Sequence, residues 1–232
     1  MTWHAKPSGG YSIGSSDWVD NWNEICSMLS WTTEAIAGMG GNLQAESGMN
    51  PWRWQGDTVG TSRGYGLPQF TPASGYLALS GVTPNMSTTS TTTGATPQDG
   101  ARQIQAIDSD ELGKWVQSCW RSYWDPVQYS TLYRYANEIK NTWGHGTGVS
   151  MAEFKACTDI DACTFIWLAC FEGPAVPNYS SRKAISRDIY TNYMGGVVPP
   201  DPDPPEPYPP SGKHLPAWLL KKMADSGRLT LL

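Results

Sequence analysis

The chain has 232 residues, with 16 Lys and Arg against 21 Asp and Glu for a net charge of −5, and only 16% of its residues are charged, below the roughly 25% usual in soluble domains. No basic field is available to grip nucleic-acid phosphates. The longest uninterrupted apolar run, Phe165 to Phe171, is seven residues, where a bilayer span needs roughly 20, so neither nucleic acid nor membrane is expected as a partner.

The length suits one domain of about 150–200 residues with an appendage. Aromatic usage is skewed, with 12 Trp and 11 Tyr against 4 Phe. Rings that carry an N–H or O–H suit half-wet surfaces such as sugar grooves better than a dry core. The first sixteen residues read as an N-terminal extension without the charged and apolar regions of a secretory signal.

Trp18, Trp22, Ile25, Cys26 and Leu29 follow helical spacing and predict a first helix capped by Asp17. A second stripe, Ile36, Met39, Gly40 and Leu43, reaches Glu46 three residues on. An acid therefore ends an apolar face, and the glycines at 38, 40 and 41 imply close packing against another backbone. Residues 47 to 76 read as loops or a short irregular hairpin, and 83 to 97 as an exposed Ser/Thr-rich loop. Further helices are predicted over Asp99 to Trp120 and Tyr129 to Trp143. Others follow a capping box at Ser150 to Glu153, a capped start at Thr158 to Asp161, and a cap at Ser180 or Ser181. The apolar segment around Phe165 to Cys170 is deeply buried. Trp18, Trp22, Trp115 and Trp167 fall on helical stripes and read as core.

The fold class is mainly α (α+β), with the main domain over 17–196. A Pro-rich stretch at 197–212 forms an extended linker. Residues 213–232 form a short amphipathic segment, with Trp218 as an anchor, suited to docking on another protein.

The five cysteines, Cys26, Cys119, Cys157, Cys163 and Cys170, contain no CxxC pair, so no metal site and no cofactor is expected. Buried free thiols are the favoured reading and a Cys157 to Cys163 bridge the alternative.

Glu46 is the candidate general acid, since burial of a carboxyl favours its protonated, proton-donating form. The competing reading is a buried ion pair with Arg53 or Arg63. Trp52, Trp54, Tyr65 and Tyr76 crowd the next thirty residues together with the amides Asn50, Gln55 and Gln69. These seven are the candidate substrate-binding residues, rings for sugar faces and amides for hydroxyls. Asp57, the nearest following acid, is the candidate second carboxylate or a turn former. Glu172 is read as a helix-end residue and His145 as a surface one.

Glu46-Ser47-Gly48-Met49-Asn50-Pro51 followed by Gly64-Tyr65-Gly66-Leu67-Pro68-Gln69-Phe70 resembles the E-S-x-x-N-P and G-L-x-Q signature of the lysozyme-like superfamily, which includes goose-type lysozymes and lytic transglycosylases. The run through Ile107 to Leu112, Phe171-Glu172-Gly173-Pro174 and an Arg182 to Tyr190 helix is similar more narrowly to the phage tail lysozyme family, over roughly 17 to 195. The resemblance implies a lysozyme fold in which Glu46 is the acid that cuts the β-1,4 bond between N-acetylmuramic acid and N-acetylglucosamine, and Gln69 is the signature glutamine. Pro68 departs from the Met common in transglycosylases. A peptidoglycan muramidase of a phage virion is thus expected, made in the host cytoplasm and joined to other tail proteins through 213–232. A lytic transglycosylase or endolysin using the same Glu46 is the alternative, and a non-catalytic glycan-binding virion protein the rival of another class.

Overall fold

A computed structural model describes residues 3–84, 86–88 and 98–198; the Pro-rich linker beyond 198, the terminal docking segment and most of the Ser/Thr-rich loop lie outside them. Among the described residues eight α-helices follow one another: α1 (Ser16–Met28), α2 (Thr33–Ser47), α3 (Ala73–Ser80), α4 (Gln98–Asp108), α5 (Ser130–Thr142), α6 (Met151–Lys155), α7 (Ile160–Trp167) and α8 (Tyr179–Tyr193). Two isolated antiparallel bridges, Trp54 to Tyr65 and Tyr65 to Phe70, shape the segment between α2 and α3, and the described residues include no strand. The mainly α expectation holds. No described helix is long and apolar enough to cross a membrane.

Helix α2 is central and packs on α8 and α7. Its small residues allow this. A methyl group on Gly38 would sit 2.7 Å from Cys163 Cβ of α7, one on Gly40 2.5 Å from the Trp22 ring of α1, and one on Gly41 2.0 Å from Ser186 Oγ and 2.8 Å from the Ser186 backbone nitrogen of α8. Ala is the better helix former than Gly by about 1 kcal/mol, but overpacking against backbone costs about 1–3 kcal/mol. Gly41→Ala is therefore expected to lower stability by about 1 kcal/mol in urea unfolding. An unchanged midpoint would mean that α8 does not approach α2 this closely.

Several boundaries differ from the sequence reading, each for a local reason. Ser15, not Asp17, caps α1, accepting from the Trp18 backbone N–H. Asp17 sits in the first turn, where a negative charge meets the positive helix end. Helix α4 stops at Asp108 rather than Trp120. Asp110 has φ 49° and its carboxylate accepts from the backbone N–H groups of Lys114 and Trp115 at 2.8 and 3.2 Å, an arrangement that replaces helical bonding. Trp115 and Val116 consequently lie outside any helix, with Trp115 only half-buried. Asn178 precedes α8 without a side-chain cap, so neither Ser180 nor Ser181 starts it. The capping box at Ser150 and the Asp159 cap are present. Helix α3 was not anticipated.

The N-terminal extension is not separate from the domain. Trp3 is buried against Gly100, where any Cβ would strike its ring. Asn50 donates to the Lys6 and Gly9 carbonyls at 2.8 Å each, and the Tyr11 N–H donates to the Gly48 carbonyl at 2.7 Å. All five cysteines are free thiols, so no bridge joins Cys157 to Cys163.

Candidate active site

Glu46 reaches the end of α2 because the helix stops one residue later. Gly48 takes up the left-handed conformation (φ 62°) and caps the helix through its N–H to the Gln44 carbonyl at 2.9 Å, the usual device for ending a helix within one turn. The Glu46 side chain is 22% exposed and pairs with the Arg182 guanidinium of α8, whose side chain is 9% exposed. A second guanidinium nitrogen of Arg182 donates to Asn42 Oδ1 at 3.0 Å. The ion pair expected at Glu46 exists, but its partner is neither Arg53 nor Arg63. Arg53 lies 3.5 Å from Asp57 and Arg63 donates to the Gln55 carbonyl.

Glu46 opens into a cleft of about 330 Å³ bounded by Gln55, by the Pro68 to Thr71 loop, by Lys114 and by the Phe171 to Ala175 segment. Two walls thus face each other across the acid, one from the loop after α2 and one from the chain after α7. The second wall begins with a π-helical turn, Leu168–Glu172, ended by Gly173, whose N–H bonds to the Leu168 carbonyl at 2.8 Å. Such wide turns concentrate at functional sites.

This turn carries Glu172 into the cleft. The Trp167 indole N–H donates to Glu172 Oε1 at 2.9 Å, and Trp167 stacks on Phe171 with centroids 4.3 Å apart. Burial first and the charge of Glu46 second push the Glu172 carboxyl up to about 8, against a lowering by Arg182. Near neutrality Glu172 therefore holds its proton.

The fold favours neutral Glu172, so the folded state binds more protons than the unfolded one between these pH values. That contribution to stability is complete below about 4.5, falls as the pH rises, and is gone above about 8. Glu172→Gln has nothing to ionise, so its melting temperature is expected to fall less than that of the wild type from pH 5 to pH 8. Identical slopes in the two proteins would contradict a buried proton on Glu172.

Among the residues singled out from sequence, Glu46, Gln55 and Gln69 line the cleft. Gln69 is held with φ 50°, and its amide donates to the Arg53 and Gly66 carbonyls at 2.9 and 2.8 Å, so it shapes the loop. The other candidates lie elsewhere. Asn50 is fully buried and spends its amide on the N-terminal segment.

Trp54, Tyr65 and Tyr76 have no exposed surface and Trp52 has 8%, so none offers a face to sugar in this structure. The Tyr65 and Tyr76 hydroxyls instead donate to the buried Asp99 of α4, Tyr65 at 2.7 Å. Gln103, one turn on, accepts from the Leu67 N–H at 2.6 Å and donates to the Pro51 carbonyl. These rings and amides hold the first wall from behind. Asp57 does not line the cleft; its carboxylate accepts from the Gly9 N–H at 2.8 Å and faces Arg53. His145 is exposed near Glu153.

The sequence reading missed Lys114 and Arg182 and undervalued Glu172. Arg182 could have been found, because it lies three residues before Ile185 and seven before Ile189, on the apolar stripe of its helix. An Arg there needs a buried anionic partner. Glu172 closes an otherwise apolar run, the same signal that identified Glu46.

The cleft of this helical domain thus joins two carboxyls of unlike environment between amide and aromatic walls. The sequence profile of phage tail lysozymes matches residues 19–193, and the chain belongs to that family. It is also similar to morphogenesis protein 1 of Bacillus phage B103, at 56% identity over 48 residues, which are 20% of this chain and 13% of that protein.

Proposed function

We propose that the protein is a bacteriophage muramidase that cuts the β-1,4 bond between N-acetylmuramic acid and N-acetylglucosamine in peptidoglycan, with Glu46 as general acid. The observation that carries this reading is the meeting of Glu46 and Glu172 in one cleft between two walls. Family membership and the similarity to a phage morphogenesis protein support a place on the virion, as a tail lysin that opens the host wall during entry. Residues 213–232 would dock it on a neighbouring tail protein.

In the reaction, Glu172 passes its proton to Glu46, which gives it to the glycosidic oxygen as the bond to the anomeric carbon breaks. Glu172, ionised by that transfer, faces the positive charge that develops on the sugar. A water then adds to the anomeric carbon and its proton returns to the carboxyl pair. Glu172 takes the place that the sequence offered to Asp57. The reverse assignment, Glu172 as acid and Glu46 as carboxylate, is favoured by one feature, the burial that raises the Glu172 carboxyl.

Mass spectrometry of muropeptides released from purified cell walls tests the reading. Reducing-end muramic acid identifies a hydrolase and anhydro-muramic acid a lytic transglycosylase. Binding without any cleavage would leave a glycan-adhesion protein.

A further inference from the structure

The cleft is small for a polymer substrate. Its volume of about 330 Å³ is at the low end of the roughly 300–1,000 Å³ of sites that enclose single small ligands. A glycan strand held over Glu46 must therefore run on across neighbouring surface. That surface can be identified from the bonds that leave the second wall. The Tyr123 hydroxyl donates to the Gly173 carbonyl, the Trp124 indole N–H to the Pro174 carbonyl at 2.7 Å, and Arg121 Nε to the Ala169 carbonyl at 2.5 Å. Gly173 and Pro174 are cleft residues, so residues 121–124 continue the same wall outward.

This continuation is aromatic and open. Tyr123 is 58% exposed and Tyr133 of α5 42% exposed. Trp120 is half-buried and meets Trp124 and Tyr133 edge to face, at 5.2 and 5.0 Å between centroids. The buried Trp124 fixes the group from beneath. Exposed rings fixed in this way are uncommon on a surface without a ligand, and their polar edges beside flat faces suit the mixed surface of a saccharide.

We propose that Trp120, Tyr123 and Tyr133 form a distal saccharide subsite, which takes N-acetylhexosamine rings of the same strand beyond those held at Glu46 and Glu172. The subsite rests on the glycan-cleaving reading above. Its role is to bind and orient, and it supplies affinity only to substrates long enough to reach it.

Calorimetric titration of chitin dimer, tetramer and hexamer into the full chain carrying Glu46→Gln tests this without turnover. Adding Trp120→Ala and Tyr133→Ala is expected to weaken hexamer binding about tenfold and leave the dimer unchanged. Trp120→Phe, which keeps a ring, is expected to restore most of the hexamer affinity relative to Trp120→Ala. Equal weakening at every length, or an unaffected hexamer, would overturn the subsite while the glycan-cleaving reading stood. If the chain binds no oligomer of any length, the subsite falls, and digestion of purified cell walls by the wild type decides the glycan-cleaving reading separately.

Discussion

Glu46→Gln is expected to lower the rate of cell-wall digestion by about 10²–10⁴-fold, the contribution of a positioned proton donor, while the fold survives because the amide still accepts from Arg182. Asp57→Asn, whose carboxylate serves Gly9 and Arg53, should keep most of its activity. Substrate chemistry then separates the two carboxyls. An aryl glycoside whose leaving group needs no proton should be cleaved nearly normally by the variant lacking the acid. The variant lacking the opposing carboxylate should recover instead with added azide. If Glu46→Gln follows the azide pattern and Glu172→Gln the aryl pattern, the roles are reversed. Wild-type digestion by Glu46→Gln would remove the site altogether.

Arg182→Met is expected to cost about 3 kcal/mol in stability, at the lower end of the loss when one partner of a buried ion pair is removed. Two groups lose their partner together. Glu46 loses the only cation paired with it among the described residues, and the Asn42 side-chain oxygen loses the Arg182 donor. Access of the cleft to water limits the penalty at Glu46, whereas Asn42 is fully buried and has no such relief. Urea unfolding of the variant gives the number directly. A loss under about 1 kcal/mol would class the pair with surface salt bridges.

Much of the helical scaffold was readable from the sequence, because apolar spacing and caps are local signals. The stripe ending at Glu46 and the small residues of α2 announced both the acid and the tight packing beneath it. Residues 47 to 76 were harder, since their conformation depends on distant side chains. Asp99 and Gln103 determine the path of this loop from α4, some twenty to fifty residues along the chain, and nothing in the loop's own composition reveals them.

The Trp and Tyr excess misled for a related reason. A polar handle on a ring was taken to mean a wet surface, yet many handles are satisfied inside. Trp18 donates to Gln44, Trp31 to Asp108, Trp115 to the Val149 carbonyl and Trp167 to Glu172. The same handle serves a core that carries few charges. The exposed rings lie further on, Tyr123 between two predicted helices and Tyr133 on α5.

The N-terminal segment has a mechanical consequence. A pull on the chain near Lys6 or Gly9 passes through two carbonyl bonds to Asn50, and at Tyr11 through one more to Gly48, within four residues of Glu46. A pull from the far end of the domain loads α8, and so Arg182. Tension from either side thus arrives at opposite members of one ion pair. Activity measured on protein immobilised by each end in turn would show how strongly anchoring sets the reach of the acid.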